Sequence, residues 1–150
     1  MVFAPPCHPP FLRMGDNRAC QLFYETTYCQ GPVTDYFGLP IRFRKDRFDH
    51  VRSESSQRDG NKDVLSADRA ERLGWILETL ESHFAVHYVG WDRKKKRYDA
   101  GTRVSCVFGD YVVVVRIVRK NGAAVGGEFR TAFVADQSIA KIRTSPLWVP

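Results

Sequence analysis

The chain has 150 residues, of which 43% are apolar and 27% are charged, and these values fit one ordinary globular domain rather than a disordered chain. No apolar run approaches the roughly 18 residues that span a bilayer. The N-terminal stretch is broken by prolines and lacks the basic start and apolar core of a secretory signal. We therefore expect no membrane partner and no classical export.

The charge balance points to an anionic partner. Lys and Arg number 23 against 17 Asp and Glu, which gives a net charge of +6 and a pI near 9.3. Nucleic acid is the commonest partner of such a basic chain, so RNA becomes a candidate ligand. The alternative is a solvated surface that is basic without binding anything.

The cysteines, Cys7, Cys20, Cys29 and Cys106, are widely spaced, and none forms a C-x-x-C pair. Zinc sites favour close pairs, because a short turn must aim two thiolates at one ion. A site built from Cys7, His8, Cys20 and Cys29 is the disfavoured alternative. Free thiols in a reducing cytoplasm are favoured, so we expect a cytoplasmic protein with no metal and no cofactor.

Residues 1–40 carry prolines at 5, 6, 9, 10, 32 and 40 and glycines at 15, 31 and 38, which predicts an irregular arm without a long helix. Its aromatic residues argue against free disorder, so we expect part of the arm to pack onto a domain of residues 41–150. Residues 41–43 are expected to form a short strand, because Ile41 and Phe43 alternate with Arg42.

The spacing of apolar residues predicts one amphipathic helix over about residues 67–83, with Ser66 as its N-cap. Arg69 falls within the apolar stripe, one turn ahead of the first leucine. The stripe itself comprises Leu73, Ile76, Leu77, Leu80 and Phe84.

The C-terminal half predicts four strands, namely Val86–Trp91, Arg103–Phe108, Tyr111–Val118 and Glu128–Val134. Period-two alternation in the last strand places Phe129, Thr131 and Phe133 on one face. Asn121-Gly122 is a strong hairpin signal, and residues 92–97, DRKKKR, are a basic turn. The predicted fold is α+β, with one helix on a four-stranded antiparallel sheet.

The sequence contains no G-x-S-x-G, H-E-x-x-H or P-loop motif, and its carboxylates do not cluster with histidines. What remains are the groups that a metal-free ribonuclease needs. RNA supplies its own nucleophile, the 2′-OH, so the protein need only move protons and stabilise charge on the phosphorane. Histidine suits the acid–base step, and Arg and Lys suit the anion.

Three stretches together resemble a phage- and prophage-associated nuclease family of the barnase/EndoU/colicin/RelE-like (BECR) group. They are FDHVRSESSQRDGNKD at 48–63, LSADRAERLGWI at 65–76, and FRTAFVAD at 129–136 followed by SPLW at 145–148. The resemblance spans about residues 41–148. It implies a helix packed on a four-stranded antiparallel sheet and metal-independent RNA cleavage that leaves a 2′,3′-cyclic phosphate. We expect a toxin or phage effector, with an antitoxin or immunity protein as a candidate neutralising partner.

The resemblance also implies that His50, Arg69, Arg72 and Thr131 line the site. We expect His50 to carry the proton transfer; its alternative is an inert exposed histidine. For Arg69 the alternatives are a phosphate ligand and an ion pair that fixes the start of the helix. Thr131 is otherwise a normal strand residue.

Further basic residues are candidates for nucleic-acid binding: Lys62, Lys94, Lys95, Lys96 and Arg116. The lysines are either phosphate contacts or solvated charges. Arg116 interrupts a valine run, so it either pairs with an acid on a neighbouring strand or enters the site from the sheet. Among the other histidines, His83 and His87 are expected to be structural, and His87 is the reserve general base.

Two rival functions remain at this point. One is a basic RNA- or protein-binding module that lacks the chemistry. The other is a structural or interaction protein of a phage or mobile element, whose aromatic arm docks on a partner. Convergence of His50, Arg69 and Thr131 in one pocket is the observation that favours the nuclease.

Overall fold

A computed structural model describes residues 17–48, 69, 72–92, 94–99, 101–135 and 138–150. Within these ranges the chain forms helices and a mostly antiparallel sheet, so the predicted α+β class is confirmed. The sheet has six strands rather than the predicted four. The α-helices are α1 (Asn17–Tyr28), α2 (Trp75–Glu81) and α3 (Ile139–Ile142).

The strands are β1 Val33–Thr34, β2 Pro40–Arg42, β3 Val86–Val89, β4 Trp91–Asp92, β5 Arg97–Tyr98, β6 Arg103–Phe108, β7 Tyr111–Lys120 and β8 Ala123–Val134. The main sheet has the strand order β1-β2-β8-β7-β6-β3, in which β2 and β8 run parallel and every other pair is antiparallel. Strands β4 and β5 form a separate two-stranded hairpin. The first predicted strand therefore ends at Val89, and Trp91 belongs to the hairpin.

The prediction that residues 1–40 contain no long helix is wrong, because α1 has 12 residues. It lies in the proline-free gap between positions 10 and 32. Cys20, Tyr24 and Tyr28 follow one another at four-residue intervals and are at most 2% exposed. That spacing places them on one face of a helix, and this was the signal for α1 in the sequence.

The main core lies between α1, α2 and one face of the sheet. Phe43 is at its centre, stacked on Tyr28 with ring centroids 4.7 Å apart and on Phe129 at 4.8 Å. Burial of these rings joins residues 17–43 to the C-terminal strands, since buried aromatic area dominates the energetics of a core of this kind. Cys106 is 1% exposed in the same core, as expected for a small core residue.

The predicted continuous helix over 67–83 is interrupted. Arg69 is helical, but residues 72–74 form a turn and α2 begins at Trp75. The hydroxyl of Tyr28 donates a hydrogen bond to the carbonyl oxygen of Leu73, and the amide of Leu77 donates to that hydroxyl at 3.3 Å. A side chain from α1 thus occupies the place of an i→i−4 helical hydrogen bond.

The helix also ends earlier than the stripe predicted. Ser82 is extended, with ψ of 129°, so α2 ends at Glu81. Leu73, Ile76 and Leu80 are buried as predicted, whereas Phe84 is 55% exposed because it lies beyond the helix.

The predicted hairpin at Asn121-Gly122 is confirmed, with positive φ at both residues as a type I′ turn requires. At Gly127 a different constraint applies. An added Cβ there would lie 2.6 Å from Val115 and 3.1 Å from Ile41, so glycine permits β2 to pair closely alongside β8.

The second face of the sheet is covered only in part. The short α3 contributes Ile139 and Ile142, which pack near Val107, Val112 and Phe133. The remainder of this face borders a cavity. Among the described residues, no helix combines the length and the apolar character that crossing a membrane requires.

Candidate functional site

The candidate site is a cavity of about 640 Å³ on the second face of the sheet, opposite α1 and α2. Its walls come from the sheet, the β4–β5 hairpin and the α3 region. Ligand sites in proteins commonly measure about 300–1,000 Å³, so the cavity is large enough for a nucleotide.

Three cationic side chains line the cavity: Arg69, Arg103 and Lys141. No carboxylate lies among the described lining residues. The three cations come from well-separated parts of the chain, since Arg103 opens β6 and Lys141 lies in α3. A group of cations in a concave surface favours an anionic ligand such as phosphate.

Hydroxyl groups add polar contacts to this surface. Across the sheet, Ser105, Val114 and Thr131 occupy neighbouring register positions on β6, β7 and β8. Ser138 and Ser145 line the cavity from the α3 side. Hydroxyls both donate and accept hydrogen bonds, so they suit the oxygens of a phosphodiester or a ribose.

Thr131 reaches the cavity through a β-bulge. Val114 pairs with Thr131, but Val115 pairs with Phe129, so Arg130 is an extra residue in β8. The bulge reverses the alternation, and Phe129 points into the main core while Thr131 lines the cavity. The prediction that Phe129, Thr131 and Phe133 share one face is therefore wrong for Phe129.

The Thr131 hydroxyl has an unusual environment. Its Oγ1 atom is buried and has no hydrogen-bond partner among the described residues. Burial of an unpaired hydroxyl is unfavourable, by about 1–3 kcal/mol in proteins. A ligand group that reaches Oγ1 and forms a hydrogen bond with it would remove that cost.

Of the predicted arginine pair, the structure brings only Arg69 to the cavity. Arg72 lies instead over the ring of Trp75, with its guanidinium carbon 4.9 Å from the ring centroid. Its carbonyl oxygen accepts a hydrogen bond from the hydroxyl of Tyr111 at 3.3 Å. Arg72 therefore packs at the turn before α2, on the main-core side.

The predicted basic turn is confirmed as the tip of the β4–β5 hairpin, where Lys94, Lys95 and Lys96 are exposed. The carboxylate of Asp92 accepts hydrogen bonds from the amides of Lys94 and Lys95, at 2.9 and 3.2 Å. These bonds hold the pKa of Asp92 below its usual range, the Lys95 amide foremost. The turn is thus fixed at its base while its charges remain in solvent.

Arg116 takes the first of its two predicted roles. Its guanidinium lies 3.5 Å from the Glu128 carboxylate on the neighbouring strand. The two residues are register partners, and Arg103 is the partner of Arg116 on its other side. Arg116 lies two residues after Val114 on β7, next to the part of the cavity wall that Ser105 and Thr131 form.

Neither of the described histidines lines the cavity. His83 is exposed, with its ring against Phe84. His87 is 7% exposed and packs in the main core, 4.6 Å from the ring of Phe37 and 6.5 Å from Trp148. Burial lowers the pKa of His87 to about 4, so it stays neutral at pH 7 and its position does not suit a reserve general base.

Two predicted site residues, His50 and Lys62, lie outside the described residues. Their roles stay predictions from the sequence.

Several cavity residues were missed by sequence reasoning. Trp91 and Tyr98 line the cavity and flank the basic turn on either side. An aromatic residue at each end of a basic run is a usable signal for nucleic-acid contact. Arg103 and Lys141 carried no comparable signal, because only the tertiary fold brings them together.

No family model matches this chain, and neither curated proteins nor solved structures contain a detectable relative of it.

Proposed function

We propose that this chain is a metal-independent endoribonuclease that cleaves RNA by attack of the 2′-OH on the adjacent phosphate, leaving a 2′,3′-cyclic phosphate. The observation that carries the proposal is one cavity that joins Arg69 and Thr131 with Arg103 and Lys141. Arg69 and Thr131 are the two residues that the nuclease resemblance and the cavity have in common.

The cavity's donor set suits phosphate better than a divalent ion. Mg²⁺ prefers carboxylate oxygens, and the described lining residues supply none. Guanidinium and ammonium groups can instead stabilise the negative charge that builds on the phosphorane. In this proposal Arg69 binds two phosphate oxygens through its planar fork, and Arg103 and Lys141 add positive charge.

The Thr131 hydroxyl orients the reacting phosphodiester by donating a hydrogen bond to a non-bridging oxygen. Proton transfer is assigned to His50, on the sequence alone: it accepts the proton of the attacking 2′-OH and returns it to the 5′-oxygen that leaves the phosphate. Such acid–base catalysis contributes about 10²–10⁴-fold, so His50→Ala should lower turnover by that factor with little effect on stability.

The decisive experiment is incubation of the purified protein with total RNA in the presence of EDTA, with the fragment ends mapped. Cleavage with 2′,3′-cyclic phosphate termini is expected. Activity that EDTA abolishes and Mg²⁺ restores would contradict the proposal. Host cells that grow normally while expressing the active protein would argue against the accompanying proposal that it acts as a toxin or phage effector with a neutralising partner.

The second candidate is a basic RNA-binding module without chemistry. It is favoured by one observation, that neither His83 nor His87 lines the cavity. RNA that is bound but stays intact in the same experiment would support this candidate over the nuclease.

A further inference from the structure

Two aromatic side chains in the cavity wall are exposed to solvent. Trp91 is 50% exposed and Tyr98 is 40% exposed. They face each other across the β4–β5 hairpin, with ring centroids 5.1 Å apart and planes at 83°. Exposed aromatic surface next to a cavity is unfavourable in water, and it commonly marks a binding surface.

The backbone fixes these rings against the main sheet. The amide of Asp99 donates a hydrogen bond to the carbonyl oxygen of Gly90 at 2.8 Å. The amide of Gly90 donates a hydrogen bond to the carbonyl oxygen of Arg103 at 3.0 Å. The amide of Arg103 in turn donates to the carbonyl oxygen of Asp99 at 3.0 Å. A hairpin held in this way presents its rings with little entropy to lose on binding.

Positive charge surrounds the pair. Residues 94–97 at the hairpin tip are exposed cations, and Arg103 lines the cavity beside the rings. The two nearby acids are already engaged. Asp92 accepts hydrogen bonds from the turn amides, and Asp99 accepts hydrogen bonds from the amide and hydroxyl of Thr102. The hairpin therefore combines aromatic faces with exposed cationic side chains at its tip.

We propose that Trp91 and Tyr98 form a stacking platform for unpaired bases of single-stranded RNA, whose phosphates contact residues 94–97 and Arg103. The identity of the ligand as RNA rests on the proposed function. Bases in a duplex are covered on both faces by their neighbours, so only unpaired bases can stack on protein side chains. Aromatic rings beside a cationic track are the arrangement that single-strand binding uses.

Binding is measured by fluorescence anisotropy with a labelled 2′-O-methyl RNA strand of about 12 nucleotides, which spans the usual site sizes and cannot be cleaved through its 2′ position. The same strand annealed to its complement is the duplex comparison. We expect the single strand to bind at least tenfold more tightly than the duplex at equal salt, since stacking on one or two rings has about that effect.

Four variants test the platform. Trp91→Ala and Tyr98→Ala should each weaken binding of the single strand by about fivefold or more. Trp91→Phe keeps a ring and should retain most of the affinity, while the quenching of tryptophan fluorescence on binding should be lost. Phe84→Ala is the matched control, because Phe84 is also exposed, at 55%, but does not line the cavity.

Equal affinity of both alanine variants and wild type, or equal affinity for single strand and duplex, would overturn the platform. Equal quenching of tryptophan fluorescence in Trp91→Phe and in wild type would also overturn it, because the signal would then come from Trp75 or Trp148. Because the probe cannot be cleaved, its binding is measured independently of the nuclease activity. If the nuclease proposal alone fails, the probe still binds tightly and its binding still depends on Trp91 and Tyr98, while natural RNA stays intact. If both alanine variants still cleave RNA and bind the probe as tightly as wild type, the platform proposal is contradicted while the nuclease proposal stands.

Discussion

The hydroxyl of Tyr28 in α1 donates a hydrogen bond to the carbonyl oxygen of Leu73, just before α2. The same hydroxyl accepts the amide of Leu77 at 3.3 Å, and Tyr28 is fully buried. The Tyr28 side chain therefore determines where α2 begins. Burial also raises the pKa of Tyr28 above its usual range, so the phenol stays protonated and keeps its donor.

Tyr28→Phe should lower the free energy of unfolding by about 1–3 kcal/mol, because the carbonyl of Leu73 and the amide of Leu77 would lose a buried partner. Urea denaturation followed by circular dichroism measures the change. Tyr36→Phe is the control, because Tyr36 is 53% exposed and its hydroxyl is not needed in the core. Equal stability of Tyr28→Phe and wild type would show that the hydroxyl does not bridge the two groups.

Thr131→Val should separate stability from function. The valine keeps the shape of threonine but removes a buried hydroxyl that has no partner among the described residues. We expect the free energy of unfolding to rise by about 1 kcal/mol, while RNA cleavage falls at least tenfold. Thermal unfolding and initial cleavage rates give the two readouts. A more stable protein with full activity would remove Thr131 from the site.

Arg69→Lys tests the phosphate clamp. Lysine keeps the charge but loses the planar fork that grips two oxygens, so cleavage should fall about tenfold or more with the fold intact. Arg44→Lys is the matched control, because Arg44 is exposed and paired with Asp46 at 2.8 Å. Cleavage that persists in Arg69→Lys would instead favour a structural role for Arg69 before α2.

Replacement of Lys94, Lys95 and Lys96 by Gln should weaken RNA binding and flatten its dependence on salt. If all three lysines contact phosphates, the slope of log K against log salt should fall by about 2, because fewer counterions are released. The thermal midpoint should stay nearly constant, since the three side chains are exposed. The matched control replaces Arg42, Arg44 and Lys45, three exposed cations elsewhere on the chain. An equal effect of both triple variants would show that net charge alone attracts the RNA.

His87 should make stability depend on pH. Burial lowers its pKa from 6.5 to about 4 in the folded state. Between these two pH values, His87 is protonated in the unfolded chain but not in the folded protein. The free energy of unfolding therefore falls as the pH drops through this range, by about 3 kcal/mol at most.

His87→Phe should remove that part of the pH dependence, because a phenyl ring fits against Phe37 and does not titrate. Urea unfolding at about pH 7.5 and about pH 5 measures the difference between variant and wild type. His83→Gln is the control at an exposed position. Parallel loss of stability in wild type and His87→Phe would assign the pH dependence to other groups.

Part of the candidate site was visible in the sequence. The resemblance named Arg69 and Thr131, and both line the cavity, whereas it also named Arg72, which packs over Trp75. Trp91 and Tyr98 flank the recognised basic turn, but Trp91 was assigned to the preceding strand and Tyr98 to no element. The cations Arg103 and Lys141 come from distant segments, and no local pattern could have joined them.

The sequence by itself determined the features that depend on neighbouring residues. Alternation and apolar runs located the C-terminal strands, Asn121-Gly122 located their hairpin, and Lys94, Lys95 and Lys96 lie in the expected turn. Such features follow from local backbone preferences and from which face of a strand is buried.

Only the tertiary structure decided where these local rules fail. The predicted helix is broken because Tyr28, 45 positions earlier than Leu73, takes one of its hydrogen bonds. Thr131 reaches the cavity because a bulge opposite Val114 and Val115 reverses the strand's alternation. Both events depend on contacts between distant segments, and their free energy outweighs the local periodicity that predicts a straight helix and a regular strand.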